Sequence, residues 1–264
     1  MEFQDIIYSK EDGIATITLN RPETMNASSD RMQEEWQAAL RDANQDDEVK
    51  VIVVTGTGRA FCAGGNPRKL PRTAEVLVKE LKPTPIRPDL GGLLHVVSEL
   101  DKPYIGAING PAVGGGMDAA SMCDIRIASE RARFSMGYVR MGTIPAGGGA
   151  YLLPRIVGLP KACELIWTGD TINAHEALRI GYVNKVVPPD ELMPATLELA
   201  SRLAKGPSIA IQLAKRLIYR CLDLDPASAL EAHQLALLIA ANTEDSQEGP
   251  RAWVEKREPI FKGR

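Results

Sequence analysis

"GPAVGGGMDAAS", residues 110–121, sets three consecutive glycines (114–116) ahead of Met117 and a single acid, Asp118, among small apolar side chains. The stretch is bracketed by "YIGAIN" (104–109) and "CDIRIA" (123–128), both strand-like. Between them there is room for a short helix of small residues, so the unit reads β–α–β. Repetition of such units with right-handed crossovers builds a wound α/β core.

The same rhythm extends upstream. "IATITL" (14–19) and "VIVVT" (51–55) are rich in β-branched residues and read as strands. Between them, "SSDRMQEEWQAAL" (28–40) carries Met32, Trp36 and Leu40 at four-residue spacing, the pattern of an amphipathic helix. Asp30, with Gln33 three residues on, is the expected cap at its start. Residues 66–90 hold many prolines and charges and read as a mobile surface excursion beside the glycines before it. Beyond about residue 190 the chain turns helical. "SIAIQLAKRLIYRC" (208–221) has Ile209, Leu213, Leu217 and Cys221 in one stripe. Asp225 and Pro226 make a helix start. The helix that follows, "ASALEAHQLALLIAAN" (227–242), is apolar almost all round, so it is expected to be buried in a core or in a subunit interface. The expected division is a core over 1–195 and a helical region over 196–264.

The 264 residues carry a net charge of −3, with 44% hydrophobic and 25% charged residues, an ordinary globular balance without the basic excess of a general nucleic-acid binder. The opening "MEFQDIIYSKEDG" is charged and has no apolar core, so it does not read as a signal peptide. The longest apolar run near the end, "LALLIAA" (235–241), is too short to span a bilayer. Four isolated cysteines (Cys62, Cys123, Cys163, Cys221) and three scattered histidines show no metal-ligand spacing. A cytoplasmic protein with reduced thiols, no bound metal and no membrane or nucleic-acid partner is expected.

"TGTGRAFCAGGN" (55–66) is a second glycine cluster after a strand. It has neither the spacing of a dinucleotide fingerprint nor the GxxxxGK[ST] of a phosphate loop. Glycines at strand ends can serve tight turns and close packing, or can free backbone N–H groups to face a developing oxyanion. Taken alone, the residues leave both readings open. Asp118 likewise reads either as an acid–base group or as a helix-terminal carboxylate.

Taken together, these segments resemble the crotonase (enoyl-CoA hydratase/isomerase) superfamily over nearly the whole chain. The resemblance lies in "ITLNRPETMNA" (17–27), "VIVVTGTGRAFCAGGN" (51–66), "KPYIGAINGPAVGGGMDAASMCDIRIAS" (102–129), "ARFSMGYVRMGTIPAGGGAYLLPRIVG" (132–158), "TGDTINAHEALRIGYVNKVV" (168–187) and "EGPRAWVEKREPIFKGR" (248–264), in that order. It implies an α/β fold, a crotonase-like spiral of ββα turns with a C-terminal helical trimerisation region, assembled as a homotrimer or homohexamer. It implies an acyl-CoA substrate, with coenzyme A entering as part of the thioester and no permanently bound cofactor. The amides of Gly65 and Gly115 would form the oxyanion hole. Thr24, Met25, Ala63, Gly65, Asn66, Pro67 and Arg68 would line the CoA site, with Lys69 beside them and Lys256 and Phe261 reaching it from the C-terminal region.

The chain departs from the family at the acids. A typical hydratase has two glutamates; here the first position is Asp118, one methylene shorter, and the second is Tyr138. The alternative acid positions are Ala146 and Gly147, and the usual Asp of the first oxyanion segment is Asn66, followed by Pro67. Hydration of a 2-enoyl-CoA is the expected reaction, with Asp118 as acid–base and Tyr138 facing the pocket. Isomerisation, decarboxylation or C–C hydrolysis on Asp118 alone is the alternative. A catalytically weak acyl-CoA-binding subunit is the alternative of another class.

Overall fold

A computed structural model of the chain describes residues 3–65 and 88–264. The segment expected to be a mobile excursion lies, apart from its last residues, outside the described residues, as do Asn66, Pro67, Arg68 and Lys69.

Two sheets form the frame. The larger has six strands in the order β1 (Ile6–Glu11), β2 (Ile14–Leu19), β3 (Val51–Gly56), β4 (Tyr104–Ile108), β6 (Ile125–Ser129) and β9 (Lys185–Val187). β1 and β2 form an antiparallel hairpin, and every later pairing in this sheet is parallel. The smaller sheet pairs β5 (Ala112–Val113) with β7 (Arg133–Ser135) in parallel and β7 with β8 (Thr171–Asn173) antiparallel. The parallel steps pass through helices, as the β–α–β pattern requires.

Strand β3 shows why "VIVVT" has no polar alternation. Ile52 and Val54 face the main core with Trp36, Phe61 and Phe134, while Val51 and Val53 face a second cluster with Ile105, Ile127, Leu192 and Ala200. A strand covered on both faces is apolar throughout. The first face is covered by helix α1 (Asp30–Gln45), whose Met32, Trp36 and Leu40 are fully buried. Its cap is Ser29 rather than Asp30: the Ser29 hydroxyl accepts the Met32 amide, and Ser29 has the extended backbone that a cap needs. Gln33 bonds the Ser28 hydroxyl instead of closing a capping box. Lys102, also buried, closes the other end of α1 by donating to the carbonyls of Ala43 and Asp46.

The next helices are α2 (Pro88–Ser98), α3 (Gly115–Ser121), α4 (Gly149–Val157), α5 (Leu159–Thr168) and α6 (Ala174–Arg179). The second face of the large sheet is covered by α7 (Leu192–Ala204), so the division expected at 195/196 falls inside one helix that packs on the sheet. Then come α8 (Ser208–Cys221), α9 (Pro226–Ala241) and α10 (Asp245–Glu255). The α8 stripe is half-buried. Asp225 caps α9 through the amides of Ala227 and Ser228, with Pro226 following it. Burial of α9 in its own core does not occur. Only Ala232 is buried, and Leu230, Leu235, Leu237, Leu238 and Ile239 are each more than half exposed. No described helix is long and apolar enough to cross a membrane.

Candidate active site

The two glycine segments meet edge to edge. Cys62 and Ala112 form a parallel bridge in which Cys62 donates to the Pro111 carbonyl and Val113 donates to the Cys62 carbonyl. Gly64 makes the close approach possible. Its φ is +78°, and a Cβ there would stand 2.4 Å from the Val113 carbonyl oxygen. Downstream, Gly114 carries positive φ and leads into α3, so Gly115 is the first residue of that helix.

The outcome is a cluster of backbone donors. A Cβ built on Gly115 would lie 4.0 Å from the Gly65 nitrogen and 3.7 Å from the Tyr138 hydroxyl. Among the described residues, neither the Gly65 nor the Gly115 amide donates a hydrogen bond. A Cβ on Gly65 would meet nothing within 4 Å, so that position borders open space.

The N-terminal loop is laid against this cluster. Ala63 donates to the Met25 carbonyl and Ser28 to the Gly64 carbonyl, which brings Thr24, Met25 and Ala63 to one border. Fully buried Asn26 holds the loop: its amide donates to the carbonyls of Thr57 and Ala60, and its oxygen accepts the Arg21 amide. Nothing in the residue pattern singled Asn26 out. Two of its three side-chain bonds reach chain segments more than thirty residues away, and the third reaches Arg21, five residues back. Lys256 closes α10 in a left-handed conformation, and Phe261 packs against Gly249 of that helix.

Asp118 lies one turn into α3 and is buried. It does not cap its own helix. Its Oδ2 accepts the Tyr138 hydroxyl and the Gly147 amide, the latter at 3.1 Å, while Oδ1 is buried without a hydrogen-bond partner. Tyr138 comes from the 3-10 turn Gly137–Met141 and is half-buried. Burial pushes the Asp118 carboxyl up to about 6, against the lowering by the Tyr138 hydrogen bond and by the amides of Gly147 and Gly149. The Tyr138 phenol is pushed far above its ordinary value by burial and by the neighbouring Asp118 charge, so it stays protonated.

α3 is held from below by Tyr182, whose buried hydroxyl pairs with Ser121 and reaches the Met117 carbonyl. Its ring stands edge-on to Phe134 at 5.0 Å, and Arg126 lies over its face. The acid thus sits on a helix with little freedom to move.

Removing the Tyr138 hydroxyl removes a donor that favours the ionised acid. Tyr138→Phe is therefore expected to move the Asp118 titration upward from about 6. The carboxyl-stretch infrared signal followed against pH reads this directly, and an unmoved or lowered midpoint contradicts the hydrogen bond.

The cluster therefore brings together two undonated amides, one carboxyl poised near neutrality and one phenol, and among the described residues no second acid bonds to it. The family model for enoyl-CoA hydratase/isomerase matches residues 9–264. A crotonyl-CoA hydratase of Syntrophomonas wolfei is 36% identical over 99% of both chains. A short-chain-enoyl-CoA hydratase of Clostridium acetobutylicum is 37% identical over 97% of each. The solved structure of an enoyl-CoA hydratase from Bacillus anthracis superposes with a TM-score of 0.90 at 33% identity, covering 99% of this chain and 100% of that one.

Proposed function

Since this chain belongs to the enoyl-CoA hydratase/isomerase family, we propose that it is an enoyl-CoA hydratase in which one carboxyl performs both proton transfers. The observation that carries this reading is the buried Asp118 carboxyl, poised near neutrality and bonded to Tyr138, whose hydroxyl borders Gly115; among the described residues neither the Gly115 nor the neighbouring Gly65 amide donates a hydrogen bond. Those amides receive the thioester oxygen as negative charge develops on it, each donor contributing about 10²–10³ in rate. Ionised Asp118 takes a proton from water as the water oxygen bonds to Cβ of the conjugated acyl chain. The double-bond electrons move into the thioester enolate. The proton held by Asp118 then passes to Cα, which restores the carboxylate. Water is consumed, one C–O and one C–H bond form, and the C=C bond is lost.

A carboxyl near 6 suits this double duty better than one near 4, because acid and base strength are then balanced close to neutral pH. Tyr138 replaces the second acid as a hydrogen-bond donor that orients Asp118, since its raised phenol is a poor proton source. Thr24, Met25 and Ala63 border the CoA channel, which Asn66, Pro67 and Arg68 would extend. Coenzyme A arrives as part of the substrate.

The test is to mix the protein with crotonyl-CoA and follow loss of the conjugated enoyl-thioester absorbance. Turnover supports the reading. Absence of turnover across a panel of 2-enoyl-CoA esters, with CoA-dependent thermal stabilisation intact, would identify a binding subunit instead.

The exposed apolar faces of α9 support assembly into a homotrimer or homohexamer through the C-terminal helices. Light scattering after size exclusion is expected to give three or six copies, and a monomer would contradict this assembly.

A further inference from the structure

Gly147 and Gly149, at the entry to α4, approach both oxygens of Asp118 closely. The Gly147 amide donates to Oδ2. A Cβ on Gly147 would stand 2.5 Å from that oxygen and 3.2 Å from the Asp118 Cβ and Cγ. A Cβ on Gly149 would stand 2.2 Å from Oδ1 and 2.9 Å from the Met136 Cε. Each oxygen of the acid thus faces the bare Cα of one glycine. The neighbours yield only with strain. Asp118 is on a helix braced by Tyr182 and Ser121, its Oδ2 is held by Tyr138 from the opposite segment, and Met136 is fully buried.

We infer that Gly147 is a positioning residue for the reaction: its N–H anchors Oδ2, and its missing side chain leaves the carboxylate the place it occupies against the Tyr138 hydroxyl. It acts through Asp118 and touches no substrate. The conformation of Gly147 is not left-handed, unlike that of Gly148 (φ +104°), so alanine at 147 is permitted by the backbone, and the three atoms nearest its Cβ all belong to Asp118. A Cβ there moves the acid by roughly an ångström, a displacement that costs about 10²-fold in rate. It also stretches the Gly147 and Tyr138 hydrogen bonds, both of which favour the ionised form.

This inference rests on the hydratase reading for its catalytic consequence, while the contact itself can be tested without it. Gly147→Ala is expected to lower kcat on crotonyl-CoA by 10- to 100-fold with KM nearly unchanged, and to move the acid limb of the kcat profile to higher pH. Gly158→Ala, strained at φ +79° with open space around its Cβ, serves as control. It is expected to lower Tm while leaving kcat and the acid limb in place. A Gly147→Ala enzyme within twofold of the parent, with an unmoved acid limb, overturns the inference.

A thermal double-mutant cycle reads the contact whatever the reaction proves to be. Gly147→Ala is expected to lower Tm in the parent and to cost less than half as much in an Asp118→Ala background, where the carboxylate is gone. Equal losses in the two backgrounds overturn the inference. Should Gly147→Ala alone fail to fold, the double variant is expected to fold, and failure of both has the same force against it. A normal cycle in a protein without hydratase activity would remove the reaction and keep the contact.

Discussion

Asp118→Asn is expected to abolish hydration and to stabilise the protein in the same step. Losing the acid–base group removes about 10²–10⁴ in rate. The stability gain follows from linkage. The carboxyl has a folded-state pKa of about 6, raised by burial above the ordinary 3.8. As pH rises from about 4, the unfolded chain releases this proton first, so the folded state loses stability until the buried acid also ionises near 6. Above that the loss is complete, and with a shift of about two units it amounts to roughly 2–3 kcal/mol. Asparagine carries no such titration and can still accept the Tyr138 and Gly147 bonds through its oxygen. Thermal unfolding is expected to show the variant melting about 5 °C above the parent at pH 8, with the two converging towards pH 4. A pH-independent difference, or retained turnover, would remove Asp118 from the role argued here.

Trp36→Ala is expected to produce the largest loss of stability. Trp36 is fully buried between α1 and the sheet, and its indole N–H donates to the hydroxyl of equally buried Tyr104 at 3.1 Å. Truncating a buried aromatic to alanine costs about 3–5 kcal/mol, and the Tyr104 hydroxyl is left with no partner in a core that water does not reach. Against a typical total of about 5–15 kcal/mol this is a large share, read as a fall in Tm of about 10 °C. A fall below about 3 °C would show that the surrounding side chains collapse into the space. Leu153, buried in the same core without a hydrogen bond to lose, makes a useful comparison.

The central strands were legible because their signal is local. "IATITL" and "VIVVT" became β2 and β3, and "YIGAIN" and "CDIRIA" gave rise to β4 and β6. Strands β5, β7, β8 and β9 have two or three residues each, too few for any period, and exist because neighbouring chain offers them partners. The cap of α1 stands one residue before the expected Asp30 for a related reason. Ser29 and Asp30 are both good caps, and the extended backbone at Ser29, tied to Asp5, decides between them. α9 had an apolar composition that called for cover, yet no pattern in it says whether the cover belongs to the same chain.

The family resemblance implied that the two glycine segments share one site. By itself, the amino-acid order determined the wound α/β core and the presence of a single acid two residues after the second glycine segment. Those follow from residue type and spacing, which act over a few positions. Only the tertiary structure decided what that acid is. Asp118 meets Tyr138 and Gly147 from 20 and 29 residues away in the chain, and its carboxyl is lifted by burial that no local pattern encodes. That Tyr138 stands where the family's second acid is expected was written in the order of residues. That a phenol and a glycine amide converge on one oxygen of the remaining acid required the chain to be folded.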